Sequence, residues 1–271
     1  MKKFVVIGLI FFYQPAKAQE LFVFTEPASN MATGSAGIRL NNYFMNIAYS
    51  SKTEYRLVPE VMFGVNKKLM LHGELFFSNR SNNSLSFEGG AVYGKYRFYS
   101  VDEVHAHLRM AAFVKLSRNS GIIDQQAIDL NGNNSGYETG IVVTKLHNKF
   151  AFSAAASYLH ATDNGNDHKF YYKNNERNAI GYSFSVGKLL LPKEYTDYKQ
   201  TNLNAMVEFL GQVNSGSGLG YLDIAPSLQV IINSVARIDI GQRIKLSGTL
   251  QRSAPGGTFV RLEYNLFNVF R

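Results

Sequence analysis

The strongest constraint on this chain is a period of two. From about residue 35 onward apolar and polar side chains alternate, and no long stretch keeps a helical repeat. In the segment from His105 to Leu116, one face carries His105, His107, Arg109 and Lys115. The other carries Ala106, Leu108, Met110, Ala112, Val114 and Leu116. Successive side chains of a strand point to opposite faces, so such a segment has a wet side and a dry side. The division recurs. Arg237, Asp239, Arg243 and Lys245 oppose Ile238, Ile240, Ile244 and Leu246. Arg261 and Glu263 oppose Val260 and Leu262; Glu54, Arg56 and Glu60 oppose Tyr55, Leu57 and Val61; His72 and Glu74 oppose Leu71 and Leu75.

A soluble antiparallel sandwich or a lipocalin-like barrel also alternates. Two features argue for a membrane instead. The alternating segments run about ten to fourteen residues, against the about five or six of ordinary strands and the about 9–11 that cross a bilayer at a tilt. The wet face also carries Arg, Lys, Glu and Asp at successive positions. A dry core would not tolerate them, because buried unpaired charge is very costly, whereas a hydrated lumen would. The expectation is an all-β fold, a transmembrane antiparallel up-and-down β-barrel with about twelve strands. The strands fall near 35–45, 53–65, 69–79, 87–99, 105–118, 136–146, 150–161, 178–191, 202–213, 221–233, 236–247 and 258–270.

Turn chemistry tests that count. Connections after the second, fourth, sixth and tenth strands are short (Asn66-Lys67-Lys68, Ser100–Val104, His147-Asn148-Lys149, Asn233–Val235). Those after the fifth and seventh, Asn119–Ser135 and Thr162–Arg177, are long and rich in Asn, Gly and Asp, which is loop chemistry. A longish turn, Lys193–Thr201, is the exception. Short periplasmic turns and long outer loops are the barrel pattern, which puts both termini on the periplasmic side. Pro59 and Pro226 fall mid-strand on the outward face, where each needs a bulge or a ladder interruption. With no Trp, the interfacial belts fall to Tyr and Phe, such as Tyr96, Phe98, Tyr182 and Phe184.

The chain divides into residues 1–18, 19–34 and 35–271. Lys2 and Lys3, the apolar run Phe4–Tyr13 and Ala16-Lys17-Ala18 make a secretory signal peptide, too short to span a bilayer. Its loss removes three lysines from a formal net charge of +8. The remaining basic residues are interleaved with acids, so nucleic acid is not an expected partner. Residues 19–34 do not alternate and read as a periplasmic N-terminal segment, the alternative being a partial plug of the lumen. The absence of cysteine excludes a lipoprotein anchor, thiolate metal centres and a thiol nucleophile.

The last segment, Phe259 to Phe270, resembles the terminal strand by which bacterial outer-membrane proteins are recognised by the barrel-assembly machinery, with Arg271 after the terminal aromatic as a departure. Phe22-Val-Phe-Thr-Glu-Pro-Ala-Ser-Asn30 and Arg56-Leu-Val-Pro-Glu-Val-Met62, with the barrel pattern, resemble a family of Bacteroidota outer-membrane β-barrel proteins and the barrels grouped with the phenol-degradation meta-pathway. The resemblance implies a Gram-negative outer-membrane transporter and brings no catalytic residues.

No zincin, P-loop or nucleophile-elbow pattern is present. No metal or other cofactor is expected: His105 and His107 share a face, but solvated lumen histidines account for them. A barrel lipid hydrolase or deacylase would draw on Ser157 and His160, with Asp163, Asp167 and His168 beyond, yet Ser157 and His160 fall on opposite strand faces. The expected site is the lumen itself. Its cations are Arg39, Arg56, Lys95, Arg97, Arg109, Lys115, Arg237, Arg243, Lys245 and Arg261, with His72, His105 and His107. Its acids are Glu54, Glu60, Glu74, Glu208, Asp223, Asp239 and Glu263. Ten cations against seven acids make a slightly anion-favouring passage. The sequence thus suggests a narrow channel or transporter for small polar or anionic solutes. A closed structural barrel braced by Arg–Glu ladders, or a binding module acting through the long loops, remains as the alternative. The other partner expected is outer-membrane lipid.

Overall fold

The alternating segments form strands because each offers one continuous apolar face, and β-branched and aromatic residues dominate that face. In the computed structural model, which describes residues 22–48, 52–80, 84–103, 106–170, 174–193 and 200–270, twelve strands are present. They are β1 (Ser35–Asn46), β2 (Thr53–Gly64), β3 (Leu69–Ser78), β4 (Ser86–Asp102), β5 (Ala106–Asn119) and β6 (Ser135–His147), followed by β7 (Phe150–Thr162), β8 (Asn178–Leu191), β9 (Asn202–Asn214), β10 (Gly220–Ile232), β11 (Ala236–Gly248) and β12 (Gly256–Leu266). The helical content among the described residues is one short 3₁₀ turn, Asn174–Arg177. The expected signal peptide lies outside the described residues.

Every strand pairs antiparallel with its sequence neighbours, and β1 closes on β12 from Ala36↔Leu266 to Asn46↔Gly256. Closure removes both sheet edges, as a sheet in lipid requires, since an unpaired N–H or C=O there costs several kcal/mol. The final strand ends at Leu266, earlier than the expected residue 270. Beyond it Val269 N–H donates to the carbonyl of Gly34 at 2.8 Å, and the Phe270 ring lies 6.3 Å from that of Phe63.

The ends of the barrel are unlike each other. At the end holding the start of β1 and the end of β12, the β6–β7 and β10–β11 turns are tight. Asn148 (φ 53°), Asn233 (φ 53°) and Ser234 (φ 58°) take the left-handed conformation there, which Asn tolerates well. The opposite end carries the long β5–β6 and β7–β8 connections. Pro59 and Pro226 face outward, and the register is the same on either side of each, although β10 shifts against β11 between Leu222 and Asp223. Bridging to β3 skips from Leu57↔Phe77 to Glu60↔Glu74, and bridging of β10 to β11 skips from Ile224↔Ile244 to Ser227↔Gly241. Each proline therefore sits where a ladder donor is absent, in an interruption and not in a bulge.

The outer surface is apolar. Ile38, Val92, Leu116, Ile141, Ile240 and Leu262 are all about half exposed. A contiguous patch of this kind would far exceed the few hundred Å² that soluble monomers show, so lipid is its natural solvent. Aromatic rings rim it. Near the terminal end stand Tyr96, Phe98, Tyr99, Phe150, Phe152 and Tyr264, while Phe44–Tyr55, Phe77–Phe87 and Tyr137–Tyr158 pair at the loop end with centroids 5.1, 5.4 and 6.3 Å apart. The belts thus form without Trp, although Tyr182 and Phe184 sit nearer mid-strand than expected.

Ile141 lies outward at the middle of β6. Ile141→Arg is expected to lower the stability of the vesicle-inserted barrel by about 2–4 kcal/mol. Denaturant titration in lipid vesicles measures it, and an unchanged midpoint would place that face away from hydrocarbon.

Candidate functional site: the barrel lumen

Strand register, more than any single motif, arranges the lumen charges. Arg39 of β1 stands directly opposite Glu263 of β12 and Glu60 of β2, while Arg237 of β11 faces Glu263 from the other side. Charge therefore alternates along a row across four strands. The Arg39 guanidinium donates to Glu263 at 2.8 Å and to Glu60 at 3.3 Å, and Arg237 lies 3.1 Å from Glu263. One turn of the register away, Asp239 faces Arg261, which also donates to Asn41 at 2.8 Å. Opposite charges placed directly across a ladder stabilise it, and here pairing also relieves the cost of their burial.

Two chain segments enter this lumen. The first is the stretch expected to be a periplasmic tail. Residues 22–34 instead run inside the barrel, which is the plug alternative. Glu208 of β9 accepts the backbone N–H groups of Val23, Phe24 and Thr25 at 2.8–2.9 Å, and the Thr25 hydroxyl at 2.7 Å. Glu26 reaches Arg39 at 2.9 Å. Ala28 N–H donates to Thr144, Lys95 donates to the carbonyls of Pro27 and Ser29, and Arg109 donates to the Ser29 hydroxyl. The segment leaves the lumen at Gly34 (φ +72°), where a Cβ would meet the Phe270 carbonyl oxygen at 2.4 Å, so only glycine fits. Phe22 and Val23 pack on Ala151, Met206 and Phe259, and Ala28 packs on Ala111 and Val142. These lumen-facing apolar residues break the charged pattern, and they are the signal that marks where an inserted segment lies.

The second is the β5–β6 connection, which turns inward. Ile128 exchanges two hydrogen bonds of 2.9 Å with the Gln212 amide across the lumen. Gln125 accepts from Ser253, and Arg56 donates to Asp129 at 2.9 Å. Ile123, Ile128 and Leu130 pack on Leu159, Ala161 and Phe170, while Asn164 pins the loop through the carbonyls of Gly121 and Asn133 at 2.8 Å. Burial pushes the Asp129 carboxyl up, but the charge and hydrogen bond of Arg56 outweigh it and hold the group below the usual aspartate range. Between the two segments remains a cavity of about 330 Å³.

Most of the expected lumen residues are placed there. Arg39, Glu54, Arg56, Glu60, His72, Lys95, Arg109, Lys115, Glu208, Asp223, Arg237, Asp239, Arg261 and Glu263 are buried within the barrel, and Glu74 and Arg243 are half-buried beside Lys115 and Asp223. Lys245 is exposed near the loop rim. Arg97 binds the carbonyl of Lys67 at the terminal rim, where His107 lies 3.0 Å from Asp102. His105 lies outside the described residues. The structure adds Glu26, Glu88, Asp129 and Glu138 to the lumen acids and Arg252 to its cations. Glu138 shares a strand face with Val142 and Thr144, so alternation alone would have found it; Glu88 is out of step with Ala91, Tyr93 and Lys95 and turns inward only through the register shift beside Gly89. Arg252, Glu26 and Asp129 lie outside the strands and carried no such signal.

Chemistry beyond binding is not assembled among the expected pairs. Ser157 faces the lumen, while the His160 Nδ1 lies 2.7 Å from Asn178 and His168 from the Ser120 carbonyl at 2.8 Å. Glu26, Glu60 and His72 have ligand atoms within 4.8 Å of one another. Arg39 already lies between the two carboxylates and His72 donates to Glu60 at 2.5 Å, so the cluster is charge-balanced by the protein itself.

The fold is shared with solved structures. An outer membrane channel from Pseudomonas putida F1 matches with a TM-score of 0.58 at 11% identity, covering 90% of this chain and 100% of that one. The NanC porin (TM-score 0.48, 10% identity, 83% and 97% covered) and the KdgM porin (0.45, 10%, 84% and 98%) agree more loosely. Only the first carries weight, and at that identity it shows the barrel fold. No family model matches the chain, and no curated protein matches it.

Two outcomes follow from the inserted segments. Hydrogen bonds to a charged acceptor contribute about 1.5–3 kcal/mol each, so Glu208→Ala is expected to speed hydrogen exchange at Val23–Thr25 by at least about tenfold. Unchanged exchange would mean the carboxylate does not hold the segment. Asp129 has a depressed folded value, so its contribution is complete above the ordinary aspartate value of about 3.9 and lost as pH falls through the lowered one. The β5–β6 loop is therefore expected to stay docked from pH 7 to 5 and to loosen below about pH 4, read by labelling of a cysteine introduced at Leu130.

Proposed function

We propose that this chain is an outer-membrane channel that binds and passes small polar solutes, anions included, through a lumen narrowed from both ends. The observation that carries the reading is the charged cavity left between residues 22–34 and the β5–β6 loop. A purely structural barrel has no need of a chamber whose walls carry both signs of charge. Its apolar belt is taken to face outer-membrane lipid, with the loop end outward and both termini periplasmic, as turn lengths suggest. The terminal strand is the expected contact for the barrel-assembly machinery. The sequence resemblance supports membership of the Bacteroidota family and kinship with the meta-pathway barrels. The opposed faces of Ser157 and His160 support a non-enzymatic role over a lipid hydrolase.

The interlocked ion pairs favour a resting state of low conductance. The excess of lumen cations expected from the strands is offset by Glu26, Glu88, Asp129 and Glu138, so ion selectivity should be weak. In planar bilayers the full chain is expected to give small steps with little preference between potassium and chloride. Removal of residues 19–31 should enlarge those steps several-fold. Absence of steps in both forms would overturn the channel reading in favour of a closed barrel.

A further inference from the structure

The two sides of the cavity carry uncompensated charge of opposite sign. On one wall Arg243 and Arg252 converge on one carboxylate, Asp223, at 2.6 and 2.5 Å. Both guanidiniums also lie over the Tyr221 ring, at 5.5 and 4.0 Å. Two cations share one anion. On the other wall Lys115 donates to both oxygens of Glu74, at 2.9 and 2.7 Å, and to Asn131. Glu138 stands opposite Lys115 in the β5–β6 register, beside Ser157, and no ion pair is formed with it among the described residues. Two anions share one cation. In the closed ring of twelve strands β6, which carries Glu138, stands five strands from β11, which carries Arg243, so the two charges face each other across the lumen.

Rings line the same chamber beside the negative wall. Tyr93 stacks on Phe113 with centroids 5.8 Å apart, and Tyr43 lines the same space. The volume, about 330 Å³, sits at the low end of the roughly 300–1,000 Å³ typical of small-molecule sites. Apart from Arg252, which the β11–β12 connection carries and Asp223 holds, its charged groups and rings stand on strands, so little ordering would be needed on binding.

We propose that this chamber is a binding site for an elongated dipolar solute, with a carboxylate at one end, an ammonium at the other and a flat or apolar body between. The carboxylate docks on the Arg243–Arg252 pair, where guanidinium geometry suits bidentate recognition. The ammonium meets Glu138, and the body lies against Tyr93 and Phe113. A solute with only one charge leaves the opposite wall uncompensated after losing its water, which is the source of discrimination. The inference deepens the channel reading by naming a solute class, but binding does not require conduction.

Calorimetry on the full chain, purified in detergent, tests it with three probes of one shape: 4-(aminomethyl)benzoate, benzoate and benzylamine. The dipolar probe is expected to bind at least about tenfold more tightly than either singly charged one. Glu138→Gln should erase its advantage over benzoate, and Arg243→Gln its advantage over benzylamine. Equal affinity for all three, no binding of any, or a preference that survives Glu138→Gln in a barrel with native circular dichroism would overturn the assignment. Where a variant fails to fold, the three affinities of the unaltered protein still decide. Bilayer steps without a dipolar preference would remove this site and leave the channel. Dipolar binding without steps would do the reverse.

Discussion

The seam between β1 and β12 is the constraint on which the rest depends. In hydrocarbon each backbone N–H and C=O must find a partner within the chain, and a twelve-stranded sheet meets that demand by closing on itself. Closure at this register does more than pair backbone. It sets Arg39 between Glu263 and Glu60, and Arg237 beside Glu263, so the charges forced inward by an apolar exterior neutralise one another across strands. A slip of β1 by one residue along the seam would turn Arg39 toward lipid and Leu40 toward the lumen, leaving Glu263 without its cross-strand partner. Backbone pairing and charge pairing therefore select the same register.

That pairing explains why the lumen accepts inserted chain. A strand barrel with a charged interior presents donors and acceptors that a bare backbone can satisfy. Lys95 caps two carbonyls of residues 22–34, Glu208 gathers three of their amides, and Gln212 meets Ile128 in both directions. Irregular backbone at membrane depth is tolerated when protein supplies its hydrogen bonds. The two segments come from opposite ends of the barrel, and what they leave between them is a chamber in place of an open bore.

The sequence was most informative where physics is local. Alternation located all twelve strands to within a few residues, and Asn-rich turns marked the tight connections, because both signals depend on near neighbours. Closer reading of the same pattern would have flagged Ala111, Val142 and Met206, apolar residues on a face otherwise polar. The path of residues 22–34 was not legible, since Glu208 lies more than 180 positions from the amides it holds. The inward turn of Asn119–Ser135 was hidden for the same reason. Its Asn and Gly residues read as a solvated loop, yet Asn119, Asn134 and Asn164 spend their amides and carbonyls on holding it folded.

The segment that crosses the lumen touches β9, β6, β4 and β1, and it precedes every strand in the chain. Once the sheet has curled shut, ten or so residues bearing Phe22 and Phe24 would have to be pushed between locked ion pairs to reach those positions. Assembly is simpler in the other order. A leading stretch already seated against Glu208 and Lys95 would meet no such barrier, because an open trough leaves both side chains within its reach.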